Sequence, residues 1–238
     1  MQYSQWKYTI LLVAMFLMLG ARLEISELPI GSVVTEACVT LMVLAGMSAV
    51  IRYRHSKVLT LSLGIPVVLL TIWSKIEPEA TTHATFVLQR ITLTLFLGFI
   101  MVTVLHDLLS QTEITRDSLV GAFCGYLLIG AIGTEVYSLI DLIDPTSFGM
   151  TGPSLQVNAA TPEVRQNQLQ YFSFVTLTTI GYGDILPGNH LTRVIACLEA
   201  ICGQFYLAIL VAGLVSIRVG QSSGKPMVSD VSADDELK

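Results

Sequence analysis

The chain has 238 residues, 53% of them hydrophobic and only 13% charged, with a formal net charge of −5 and a mean hydropathy of +0.68. A soluble domain carries roughly 25% charged residues, so this composition excludes an ordinary soluble enzyme and points to a protein embedded in a lipid bilayer, with no nucleic-acid partner expected. Cys38, Cys124, Cys197 and Cys202 all fall inside apolar stretches and read as small buried hydrophobes. They suggest no disulfide framework and no metal site, and the four histidines are scattered.

A membrane-spanning helix needs about 20 apolar residues. The first stretch, about Tyr8–Leu28, has Arg22, Glu24 and Glu27 crowding its end. Its basic start and the short apolar run Thr9–Leu19 also fit a signal peptide, but the residues after Gly20 make a poor cleavage site. A retained first helix is the expectation. Five cleaner stretches follow, at about Ile30–Ile51, Val58–Ile76, Ala84–Leu105, Ser118–Ile140 and Leu191–Val215. Arg52, Arg54 and Lys57 place the loop after the second span in the cytoplasm. Arg116 before the fifth span, with Arg218 and Lys225 after the sixth, agrees with that sidedness. Both termini are then cytoplasmic, and the acids Glu77, Glu79, Asp141, Asp144, Glu163 and Asp184 are external.

Arg90 is the only basic residue of the fourth span. It lies about two turns in from the outside, and Glu36 lies at the same depth in the second span, so a Glu36–Arg90 ion pair is geometrically open. Such a pair reads either as a reduced voltage sensor or as a structural contact fixing helix order. The fifth span carries Gly121 and Gly125, a spacing that permits close helix approach, expected against the sixth span. It also carries Glu135, a second acid at membrane depth.

Between the fifth and sixth spans the chain is too polar to cross, yet Leu169–Ile180 is apolar again. Non-helical backbone at membrane depth is tolerated only where it is buried in protein or lines a water-filled path. A short helix over about Glu163–Leu177 with Pro162 at its start, followed by an extended return, meets that condition. Its C-terminal end would direct a partial negative charge at a cation. The linker Asp144–Asn167 reads as an external turret. The return is Thr178–Asp184, T-T-I-G-Y-G-D, in which glycines at alternate positions allow the left-handed dihedrals that turn successive carbonyls toward one axis. A Gly-alternating loop of a soluble protein would instead hold a phosphate, a reading the surrounding apolar spans disfavour.

This heptapeptide, with YFSFVTL before it and LEAICGQFYLAILVAGLV after it, resembles the potassium-channel signature loop and the bacterial pore domains that carry it. The likeness covers about Ser118–Gly220. It implies carbonyl ligands for K⁺ from Thr179, Ile180, Gly181 and Tyr182, with the Thr179 hydroxyl added and with Gly183 and Asp184 in support. It implies a hinge at Gly203, and Gln204, Leu207 and Val211 facing a cavity. Ile180 stands where Val is commoner, and Val175 stands where some relatives place a glutamate. Glu199, one turn before Gly203, then either packs behind the filter on pore-helix groups such as Thr176 or is a buried acid with any available partner.

The resulting expectation is an all-α membrane protein of six transmembrane helices with a re-entrant pore helix and filter loop. Residues 1–110 would form a four-helix domain resembling a degenerate voltage sensor, 111–220 the pore domain, and 221–238 a disordered cytoplasmic tail. One filter loop per chain implies a homotetramer. The resemblance implies a potassium-selective channel in the plasma membrane with no cofactor beyond permeant K⁺ and no domain for a small-molecule ligand. One arginine in the fourth span argues against steep voltage gating. A voltage-gated channel with a reduced sensor and a cation-transporter subunit are the alternatives. An enzyme is not expected, because an intramembrane serine protease would need a G-x-S-x-G-like nucleophile and a histidine in a later span.

Overall fold

The computed structural model describes residues 7–24, 31–50, 57–76, 82–110, 116–150 and 162–223. The apolar runs form α1 (Lys7–Glu24), α2 (Gly31–Val50), α3 (Lys57–Ile76), α4 (His83–Ser110), α5 (Arg116–Ile143) and α7 (His190–Ser223). The shorter α6 (Pro162–Leu177) precedes the heptapeptide. Hydroxyls inside these helices turn back on their own backbone: Thr35, Thr71, Thr94, Thr134 and Ser138 each donate to the carbonyl four residues earlier. That satisfies a polar group without a partner from another helix, as an apolar surrounding demands.

Among the described residues, five helices, α2, α3, α4, α5 and α7, are long and apolar enough to cross a membrane. Helix α1 stands apart because Lys7, Arg22 and Glu24 all fall within its 18 residues. Residues 25–28 of the expected first span lie outside the described residues, as do 224–238 of the expected tail. Helix α7 continues through Ser223, past the expected start of that tail at 221.

Helix α5 is the centre of the assembly, with α1, α4, α6 and α7 all packed on it. One apolar core runs from Tyr8 and Leu11 in α1 through Met42 and Val43 in α2 and Phe96 and Ile100 in α4 to Cys124 and Leu128 in α5. The expected boundary near residue 110 therefore falls between helices that share a core. At one end of this core Lys7 is ion-paired with Asp107 at 2.8 Å, and the Tyr8 hydroxyl also donates to Asp107. Gly125 lets Tyr206 of α7 approach α5, its missing side chain leaving room for the ring, as the spacing anticipates. Gly121 instead accommodates the Tyr8 ring of α1.

Two readings are corrected here. The turret contains regular structure: β1 (Phe148–Met150) pairs antiparallel with β2 (Ile185–Pro187), with Gly149 opposite Leu186. Strands of three residues are too short to show a period of two in sequence. They form because Phe148 and Ile185 are drawn into an aromatic cluster with Tyr137 and Phe172. The cysteines are also not uniformly buried. Cys124 is buried and Cys38 half-buried, but Cys197 and Cys202 are exposed, because α7 is covered by its own chain along a single stripe.

Candidate functional site

Helix α6 ends at Leu177, and the chain returns along Thr178–Asp184 before β2 fastens it. Thr179, Gly181 and Gly183 have φ of 58°, 58° and 78°, an alternation of left-handed residues with Ile180 and Tyr182 between them. The N–H groups of Thr179, Ile180 and Gly181 point at the last turn of α6, reaching Thr176 O at 2.9 Å and Val175 O at 3.0 and 3.4 Å. In a planar trans peptide the preceding C=O points the opposite way. The carbonyls of Thr178, Thr179 and Ile180 therefore face away from α6, toward the open side of the loop. Ile180 and Tyr182 are 55% and 68% exposed in the single chain, and among the described residues nothing lies within 4 Å of where a Cβ would stand at Gly181 or Gly183.

The two glycines were legible in sequence, but the positive φ at Thr179 was not. A β-branched residue there costs on the order of 1–3 kcal/mol. The signal was available, since the every-second-residue alternation of Gly181 and Gly183 carried back one step lands on Thr179. Tyr182 stacks on Tyr171 of α6, with centroids 6.4 Å apart and planes 3° from parallel. The Tyr171 hydroxyl donates to Asp184 at 2.8 Å, so Asp184 ties the top of the loop to the helix behind it.

Below the loop, α5, α6 and α7 meet at Glu199. Its two carboxyl oxygens accept from Ser173 of α6 and Tyr137 of α5, both at 2.5 Å. The acid is 7% exposed. It does pack against the pore helix, but its partner there is Ser173 and not Thr176. The reason is periodicity: Ser173 lies on the same face of α6 as Gln166, Gln170 and Leu177, toward α5 and α7, all of them buried. Gly133 of α5 makes room for this junction, since a Cβ there would collide with Glu199 Oε1 and lie 2.7 Å from Ser173 Oγ.

Gly203 sits inside unbroken helix, and its Cβ would lie 2.6 Å from Leu177 Cδ1 and 2.9 Å from the Leu177 carbonyl. The geometry at this position is a close approach of α7 to the foot of the loop. Gln204 and Leu207 are exposed, as residues facing a shared cavity would be in one chain, while the side chain of Val211 lies outside the described residues.

The Glu36–Arg90 pair is overturned. Arg90 spends its guanidinium on the neighbouring α5 and α6, donating to Glu135 at 2.9 Å and to Gln166 at 2.5 Å. Equal depth made Glu36 eligible, but α5 packs along α4 more closely than α2 does. Glu36 is half-buried. Arg22 of α1 also joins Glu135, at 3.8 Å.

Residues 168–218, from within α6 to within α7, match the protein-family model described as "Ion channel". Among curated proteins, "Two pore potassium channel a" of Oryza sativa subsp. japonica is 43% identical over 42 residues, 18% of this chain and 12% of that protein. "Two-pore potassium channel 3" of Arabidopsis thaliana is 41% identical over 46 residues, 19% of this chain and 11% of that one. The chain thus spans only about a tenth of the length of these relatives. No solved structure matches it. The segment that holds the loop and the helices on either side of it is similar to an ion-channel domain, set among several apolar helices.

Proposed function

We propose that this chain is one subunit of a homotetrameric, potassium-selective channel of the plasma membrane, with α1 as the first of six spans and both termini in the cytoplasm. Four copies of Thr178–Asp184 around an axis would present rings of carbonyl oxygen from Thr179, Ile180, Gly181 and Tyr182 in place of the ion's water. The observation that carries this reading is the alternating left-handed backbone of Thr179, Gly181 and Gly183, with the loop's N–H groups turned onto α6. The likeness of residues 168–218 to ion channels, and of a shorter stretch to two plant potassium channels, supports it. The uncovered side of the loop supports the need for further copies. The segment Leu191–Ile209 of α7, mostly exposed and apolar, supplies surface for lipid and neighbouring subunits.

Steep voltage gating is not part of the proposal. A charge crossing the whole field gains about 2.3 kcal/mol per 100 mV, and α4 offers Arg90 alone. Moving Arg90 would leave Glu135, 3% exposed, without its closest cation. Stranding a buried charge in this way costs about 3–5 kcal/mol, more than the field returns.

The test is reconstitution into bilayers with K⁺ on one side and Na⁺ on the other. The reversal potential is expected to shift by about 59 mV for each tenfold of selectivity, with a shallow dependence of conductance on voltage. A reversal potential near zero removes potassium selectivity. A steep conductance curve restores the sensor reading of α4.

A further inference from the structure

The sequence of α6 carries glutamines at 166 and 170 and a serine at 173, polar residues at the spacing that puts them on one helical face. All three are buried. Gln166 donates to Glu135 Oε1 at 3.2 Å and accepts from Arg90 at 2.5 Å, while Gln170 accepts from Arg22 at 3.2 Å. Glu135 lies between the two arginines, 2.9 Å from Arg90 and 3.8 Å from Arg22. One carboxylate of α5 thus joins a cation of α1, a cation of α4 and the outer half of α6.

Such a cluster is a poor device for stability. Replacing a buried ion pair by well-packed apolar side chains is often neutral or stabilising. This one also leaves Arg22 Nε and Gln170 Nε2 buried with no hydrogen-bond partner. What it supplies is direction. The planar fork of Arg90 holds Glu135 and Gln166 at once, a geometry that a single ammonium cannot copy. The same polar face continues to Ser173, which donates to Glu199 of α7.

We propose that Arg22, Arg90 and Glu135 are positioning residues for conduction. They hold α6 from the side of α1 and α4, so that the first helices act on the filter through the pore helix and not through the inner helix. This inference rests on the reading of Thr178–Asp184 as a potassium filter, and the experiment separates the two. The full chain is reconstituted in liposomes, and the wild type is first measured for K⁺ over Na⁺ permeability. An unselective wild type removes the channel reading itself.

With a selective wild type, two variants decide the inference. In Arg90→Lys the charge is kept and the fork lost; in the triple change Arg22→Leu, Arg90→Leu and Glu135→Leu the three buried charges are replaced together, so that none is stranded. Both are expected to assemble and melt like the wild type. Their Na⁺-to-K⁺ permeability ratio, or the rate at which current decays under steady K⁺, should rise about fivefold or more, the lower end of coupling between sites. Unchanged permeability and decay in assembled variants overturns the proposal. So does a failure of both to form tetramers, which would make the cluster a requirement for folding alone.

Discussion

Helices α6 and α7 invert the usual relation between polarity and burial. The sequence of α6, PEVRQNQLQYFSFVTL, is the more polar, yet its Gln166, Gln170 and Ser173 are covered by α5, α1 and α7 of the same chain. The sequence of α7 is long and apolar, yet Leu198, Ile201, Phe205 and Ile209 stand open. Among the described side chains of α7, only the stripe of Thr192, Glu199 and Gly203 is buried. A polar helix at membrane depth must find its partners or stay unsatisfied, so α6 is completed from within the chain. An apolar helix carries no such demand, and its side chains stand open in the single chain. The loop between them joins a limb covered by its own chain to one largely uncovered.

The largest expected effect comes from breaking the side that is fixed. Gly133→Ala places a methyl group against Glu199 Oε1 and Ser173 Oγ. Overpacking and a disturbed buried acid together should cost about 3 kcal/mol or more, read as a lower unfolding midpoint of the detergent-solubilised protein. A midpoint matching the wild type would mean that α6 is held elsewhere. Next is Gly203→Ala, on the one buried stripe of α7, where the new Cβ meets Leu177. It should cost about 1–3 kcal/mol by the same measurement and disturb the foot of the loop. If stability is kept and only the opening of the channel changes, the hinge implied by resemblance is the better account of Gly203.

How much of this was legible follows from what each feature depends on. Spans and pore helix depend on local composition, and most of their ends fall within a few residues of expectation, as with Glu163–Leu177 against Pro162–Leu177, although α7 runs on to Ser223 past the expected Val215. The turn of the loop depends on Gly181 and Gly183, which are conspicuous. Partners across helices were only half legible. Glu199 could be tied to the pore helix because it sits a turn from Gly203, but choosing Ser173 over Thr176 required the rotation of α6 about its axis. Arg90 was assigned by depth alone, and depth does not say which neighbour lies closest in the plane of the membrane. Glu135 was visible as a buried acid, but its position between two arginines depends on the packing of α1 onto α5, which no local pattern records.

A smaller effect tests how far α6 controls the loop's upper end. Tyr171→Phe removes the 2.8 Å bond to Asp184 while keeping a ring to stack on Tyr182. A hydrogen bond to a charged group contributes about 1.5–3 kcal/mol at most and less when partly solvated, and the Tyr171–Asp184 pair is only part-buried. The expected result is an assembled protein whose potassium current decays faster under steady conditions. An unchanged decay would assign the upper loop to the stacking alone.

The smallest effect lies outside the membrane, where the return limb is anchored. Asp144 accepts from the Thr146 hydroxyl at 2.6 Å and its N–H at 3.0 Å, with Asn189 more distant at 3.5 Å. The Thr146 hydroxyl first, then its N–H, holds the carboxyl below its ordinary value of 3.8. A carboxylate lowered on folding contributes its full stability above the unfolded value, and loses it as pH falls through the folded one. The turn that leads into β1 should therefore stay closed at pH 3.8 and open only in stronger acid. Since β1 pairs with β2, the return limb of the loop should follow the same titration. Thr146→Val removes the hydroxyl and should move the midpoint of Asp144, followed by NMR, back up toward the ordinary value. A midpoint already at 3.8 or above in the wild type would show that this turn owes nothing to the Thr146 hydroxyl, leaving β1–β2 pairing and the aromatic cluster around Phe148 to hold the limb alone.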